Sequence, residues 1–128
     1  MIFLVDGSNA VRGKNYDPRF PEMEQARTEA WLLKLDSLAS GRRGAEVEVF
    51  FDGPRRGVGV AASALSVRFP VDGDADEAIL GSARHVLAMG KGVTVVTGDG
   101  ELAEQARSEG ARVIGFAELE NRLRRSRG

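Results

Sequence analysis

The chain reads as an α/β protein: a parallel sheet with helices on both faces. Two short, continuous apolar runs, at residues 2–6 and 93–97, have the composition of strands buried on both sides. Strand-like runs alternate with stretches of helical spacing along the whole length, the pattern that parallel strands joined by helical crossovers require. At 128 residues the chain is sized for one domain, residues 1–128, with a sizeable core.

The first strand, Ile-Phe-Leu-Val-Asp at 2–6, is apolar until its last residue. A helix follows at 22–40, where Met23, Ala26, Ala30 and Leu33 together with Trp31, Leu35 and Leu38 form a broad apolar face that Gly41 stops. Pro18 and Pro21 keep the preceding segment out of it. Residues 46–52 alternate as a strand, Val47, Val49 and Phe51 against Glu46, Glu48 and Phe50. The Gly- and Ala-rich stretch 53–63 reads as a mobile loop carrying Arg55 and Arg56. A weaker strand at 65–71 contains Pro70 and belongs near a sheet edge. The helix at 75–89 opens with Asp74 and Glu77 at capping-box spacing and closes at Gly90 and Gly92. Then come a buried-type strand at 93–97, a short helix at 101–109 closed by Gly110, a last strand at 112–116 and a final helix at 117–125. No internal repeat, low-complexity segment or interdomain linker interrupts the pattern.

Hydrophobic residues make up 42% and charged residues 29%, a globular rather than disordered balance. No apolar run approaches the roughly 20 residues of a membrane span, and MIFLVDGSN lacks the basic start of a signal peptide. With no Cys there is no disulfide framework, thiolate metal site or thiol nucleophile. A cytoplasmic protein is the expectation. The net charge is −1, yet the basic residues are nearly all Arg and bunch at Arg42-Arg43, Arg55-Arg56 and Arg122, Arg124, Arg125 and Arg127. Clustered Arg suits a polyanion, because its planar fork of donors matches phosphate; a basic last helical turn also complements the helix dipole.

Acids recur where a strand gives way: Asp6 in IFLVDGSN, Asp52 in VEVFFDG and Asp99 in VTVVTGDGE, with Asp76 in the acidic helix start DGDADEAIL. Open parallel sheets bind ligands at the carboxyl ends of their strands. If the three strands are neighbours, their acids share one crevice and Asp76 approaches its rim. Two carboxylates about 5 Å apart repel by roughly 3 kcal/mol at an effective dielectric near 20, so a group of them requires protonation or a cation. Oxygen donors with no Cys and a single His favour Mg²⁺ or Mn²⁺ over zinc. Such ions activate water and stabilise the leaving oxygen of a phosphodiester. Each acid also has a simpler reading: Asp6-Gly7 and Asp52-Gly53 as turns, Asp74 and Glu77 as caps with Asp76 on the dipole, Asp99 as an N-cap. Their recurrence favours the shared site. Asp17, Asp36 and Asp72 lack the strand-end context.

The motifs LVDGSN, FFDG, ADEAI and VVTGD, in this order and followed by GARVIGFAEL, resemble the NYN domains of the PIN-like nuclease superfamily, in particular the compact bacterial proteins of the YacP type. The resemblance implies a three-layer α/β/α sandwich with a five-stranded parallel sheet in the order 3-2-1-4-5. It implies metal-dependent endoribonuclease chemistry with Mg²⁺ or Mn²⁺ held by Asp6, Asp52, Asp76 and Asp99. Asn9 matches the Asn of the opening motif and would orient Asp6 or touch substrate; Thr97, Glu77 and Asp74 are lesser candidates. Arg55, Arg56, Arg124 and Arg125 would bind phosphates of single-stranded or locally unpaired RNA. Ser8 departs from the aromatic residue many relatives carry, which puts base stacking in question.

Two alternatives stand beside this. A non-catalytic RNA-binding module, docking for instance on the ribosome, would keep the same fold; homodimerisation is open in either case. A receiver-like phosphoacceptor domain also gathers acids at strand ends, but wants a Lys after its last strand, whereas Lys91 precedes a strand. His85 lies mid-helix and away from the acids, Ser8 has no triad partner, and Gly57-Val58-Gly59-Val60 lacks a dinucleotide fingerprint. Trp31 and the Phe residues read as core, while Tyr16 and Phe20 sit in a polar loop suited to meeting a base.

Overall fold

The computed structural model describes residues 1–12, 19, 21–41, 44–52, 64–70 and 74–125. The elements are β1 (Ile2–Asp6), α1 (Gly7–Arg12), α2 (Pro21–Ser40), β2 (Glu46–Phe50), β3 (Leu65–Arg68), α3 (Ala75–Ala88), β4 (Thr94–Val96), α4 (Gly100–Ser108), β5 (Arg112–Ile114) and α5 (Phe116–Arg125). All strand pairs are parallel and the order is β3-β2-β1-β4-β5, as expected. β1 is central: Val5 pairs with Val49 of β2 on one side and Val96 of β4 on the other.

Strand alternation divides the core into two layers. Phe3, Val5, Val47, Val49 and Val96 pack with Leu32, Leu35 and Leu38 of α2 and Leu119 and Leu123 of α5. Leu4, Phe50 and Val95 pack with Ile79, Leu80 and Ala83 of α3 and Leu102 and Ala106 of α4. This is the three-layer sandwich. No helix among the described residues is long and apolar enough to cross a membrane.

The structure corrects several expectations. The Met23–Ala26–Ala30–Leu33 stripe of α2 is exposed; Met23 and Leu33 are 50% and 53% accessible. The buried face is instead Thr28, Leu32, Leu35, Leu38 and Ala39. Leu33 is turned about 100° from Leu32 around the helix, and a helix lying on one sheet face cannot bury both. Thr28 tolerates the buried side because its hydroxyl donates to the Glu24 carbonyl at 2.8 Å. The helix α1 was not foreseen, since six residues are too few to show a period. The strand expected at 46–52 ends at Phe50 and the one at 65–71 ends at Arg68, at the sheet edge as anticipated. The final helix begins at Phe116, where a strand was expected to end. The loop 53–63, with Arg55 and Arg56, lies outside the described residues, as do Arg42, Arg43, Tyr16, Phe20 and Arg127.

Trp31 is partly buried and packs against the core. It meets Phe51 and Phe116 edge-on at centroid distances of 6.3 and 6.5 Å, and Phe51 stacks on Phe69 at 5.7 Å. This chain of rings ties α2 to the ends of β2 and β5. A second tie runs from Asp36 on α2, whose Oδ1 accepts the Ala64 N–H at 2.7 Å just before β3.

Gly7 is not a turn glycine but the first residue of α1. A Cβ there would stand 2.7 Å from Phe51 Cε1 and 2.8 Å from Val49 Cγ1. Both neighbours are locked in the core, so Gly7→Ala is expected to destabilise the fold by about 1–3 kcal/mol. Gly81, in the exposed face of α3 with nothing within 4 Å of its would-be Cβ, should respond oppositely: Gly81→Ala is expected to add about 0.5–1 kcal/mol. Urea unfolding of both variants, read as midpoint at unchanged slope, checks the contrast.

Candidate active site

The carboxyl ends of β1, β2 and β4 meet the amino ends of α3 and α4, and the acids gather there. Asp6, the last residue of β1, is only 4% exposed. Its Oδ2 accepts the Thr97 hydroxyl at 2.9 Å and its Oδ1 accepts the Asn9 N–H at 3.3 Å. Thr97 Oγ1 in turn accepts the Asp99 N–H at 3.0 Å, and Asn9 Oδ1 accepts the Gly98 N–H at 2.8 Å. Two polar side chains thus bind the end of β1 to the loop that carries Asp99. Every buried side-chain polar atom among the described residues has a partner.

Asp52 lies two residues beyond β2. The Ser8 hydroxyl accepts its N–H at 2.8 Å, a role that no local pattern shows because the two residues are 44 apart in sequence. Asp52 Oδ1 accepts the N–H of Ala75, the first residue of α3, at 2.9 Å. Asp74 caps the same helix by accepting the Glu77 N–H at 3.2 Å. Together they fix the turn that presents Asp76. Asp99 is indeed the N-cap of α4, its Oδ1 accepting from Glu101 and Leu102. Arg12, on the unforeseen α1, also reaches the crevice. Its Nε is held by Glu24 Oε1 at 2.9 Å and its Nη1 lies 3.7 Å from Asp52 Oδ2.

Burial pushes the Asp6 carboxyl above the ordinary value of 3.8, against the pull of the Thr97 and Asn9 hydrogen bonds, and the charges of Asp52 and Asp99 add to the rise. The Asp76 carboxyl is pushed up to about 6, first by burial and then by Asp6, Asp99, Asp52 and Asp74. The four acids therefore share one field. Among the described residues, however, no three Asp, Glu or His side chains stand close enough to grip one ion together. The donor set fits a hard divalent cation of the kind that keeps most of its waters and takes one or two carboxylates.

The other candidates lie elsewhere. His85 is exposed, nine residues along α3 from Asp76 and so about 13 Å away. Arg124 and Arg125 sit in the last turn of α5, which starts at the carboxyl end of β5 and runs back toward the amino ends of the strands. They are thus at the opposite end of the sheet from the acids, and Arg124 is 3.7 Å from Glu120.

Both carboxyl shifts are upward, so the folded chain holds more protons than the unfolded one from pH 3.8 to about 6. The Asp76 contribution is complete below pH 3.8 and is lost as pH rises through about 6, and that of Asp6 has the same sign. In EDTA the melting temperature is expected to fall from pH 4 to pH 7, and Asp76→Asn should flatten that fall and melt higher than the parent chain at pH 7. Thermal melts across this range check it.

The sequence pattern of the YacP-like NYN domain matches residues 3–128. No curated protein matches the chain. Among solved structures it is similar to Rae1 (YacP) from Bacillus subtilis, with a TM-score of 0.72 at 22% identity over 98% of this chain and 75% of that one. A tryptophan-to-leucine mutant of the same protein gives a TM-score of 0.71 at 21% identity, covering 98% and 76%. The likeness in structure is one of fold, the PIN-like sheet order 3-2-1-4-5. Because the sequence pattern runs from Phe3 to the last residue, through every strand end that carries an acid, the chain belongs to the YacP-like NYN domain family.

Proposed function

We propose that this chain is a divalent-metal-dependent endoribonuclease that hydrolyses phosphodiester bonds of single-stranded or locally unpaired RNA in the cytoplasm. The supporting observation is that burial first, and then the charges of Asp6, Asp99, Asp52 and Asp74, raise the Asp76 carboxyl to about 6; a cation among the acids would relieve the part due to charge. Asp6, Asp52, Asp76 and Asp99 would hold Mg²⁺ or Mn²⁺. A bound ion supplies a lowered water pKa and stabilisation of phosphoryl charge.

The chain's own groups do the rest. Thr97 and the Asn9 backbone hold Asp6 in one orientation, so their part is positioning rather than substrate contact. Asp76, at the amino end of α3, completes the acidic rim of the crevice. Arg12, anchored by Glu24, offers its guanidinium to a phosphate entering beside Asp52.

A non-catalytic RNA- or ribosome-binding role is the second reading. What favours it is that no three acids among the described residues form a ready-made ion site. One paired experiment separates the two. Wild type and Asp6→Asn are incubated with a mixed RNA pool in Mg²⁺, Mn²⁺ or EDTA. Cleavage is expected with metal, not with EDTA, and not with the variant, whose circular dichroism should match wild type. Mn²⁺ is expected to raise the melting temperature of wild type, and less so that of the variant. Equal cleavage by Asp6→Asn would reject the assignment of the site; no cleavage under any condition would leave the binding role.

A further inference from the structure

The end of the sheet opposite the acids carries a second feature. A hollow of about 520 Å³ lies at the amino ends of β1, β4 and β5, bordered by Ile2, Val93 and Thr94. Three cations line it from three elements: Lys91 from the α3–β4 loop, Arg112 from the start of β5 and Arg122 from α5. No carboxylate lines it.

The state of the cations distinguishes this hollow from the rest of the surface. Arg12, Lys34, Arg68, Arg84, Arg122 and Arg124 each stand within 4.0 Å of an acid. Lys91 and Arg112 have no ion pair among the described residues, and nor do Arg107 in the last turn of α4 and Arg125 in the last turn of α5. Strand and helix directions put all four at the same end of the molecule. Complementing a helix dipole accounts for one cation at each helix end. It does not account for Lys91 and Arg112, neither of them on a helix and neither with an ion pair among the described residues, converging with Arg122 on one hollow.

We infer that this amino-end hollow is a second phosphate-binding site, which takes a backbone segment of RNA outside the acid crevice. Arg112 and Arg122 bring planar donors and Lys91 a point charge, a combination suited to phosphodiester oxygens. The unpaired cations continue beyond the hollow to Arg107 and Arg125, which favours a polyanion over a single small anion. Ile2 to Asp6 spans about 13 Å along β1, so a strand leaving the crevice can round the edge of the sheet and reach it. The choice of RNA rests on the function proposed above; the hollow's affinity for phosphate does not depend on catalysis.

The test is binding in EDTA, where no cleavage interferes. Fluorescence anisotropy of a labelled single-stranded oligouridylate is measured with the full chain across a salt series. The double variant Lys91→Gln/Arg112→Gln changes two exposed side chains, and a thermal melt equal to wild type confirms folding. Binding is expected to weaken on the order of tenfold at low salt, with the salt slope reduced by about 1.4 for two lost phosphate contacts. Asp6→Asn should bind at least as well as wild type. Wild-type affinity and slope in the double variant would overturn the inference. Full displacement of the oligonucleotide by millimolar inorganic phosphate or adenosine monophosphate would also overturn it, assigning the hollow to a small anion. An inactive enzyme with normal wild-type RNA binding lost in the double variant would sink catalysis and support the hollow. An active enzyme whose double variant binds normally would do the reverse.

Discussion

Much of this structure follows from where one carboxylate is buried. Asp6 ends the central strand with neighbours paired on both sides, so its side chain has almost no access to water. A charge held there is costly unless it is answered by hydrogen bonds or a cation. Thr97 and the Asn9 N–H supply the hydrogen bonds, and the Thr97 hydroxyl and Asn9 Oδ1 also fix the loop before α4 by accepting the Asp99 and Gly98 N–H groups. Gly7 follows because α1 must start against Phe51 and Val49 with no room for a Cβ. The geometry around the crevice is therefore a consequence of seating this group.

The simple reading of the acids as helix caps holds for residues that gather at one end of the sheet. Asp99 and Asp74 are helix caps, and Asp52 holds the first N–H of α3 from a different element. Capping uses carboxylate oxygen and favours the ionised form, because the N-terminus of a helix offers unpaired donors and a positive dipole end. In a parallel sheet the helices that follow the strands start at their carboxyl ends. The topology thus concentrates acids at one end and leaves the helix C-termini, with their cations, at the other. The caps hold these carboxylates in fixed orientations.

Arg12 gives the crevice its own positive group. Glu24 holds it at 2.9 Å, while Asp52 stands at the longer distance of 3.7 Å. Its guanidinium thus links α2 to the turn after β2.

What the sequence by itself determined was the α/β class, nearly every strand and helix, and the identity of the acids, because apolar runs, helical spacing and Asp at strand ends are local signals. The ordered motifs carried the family and the sheet order. Which face of α2 is buried was decided only in the folded chain: Met23 and Leu33 are as apolar as Leu32 and Leu35, and only the sheet selects between them. Helix α1, under two turns long, is too short to show a period, and Arg12 and the role of Ser8 are hidden with it. The separation of Arg124 and Arg125 from the acids was likewise invisible, since it depends on α5 running back along the sheet. Composition and spacing name the groups that carry charge; their distance from one another belongs to strand order and helix direction, which no single stretch of sequence contains.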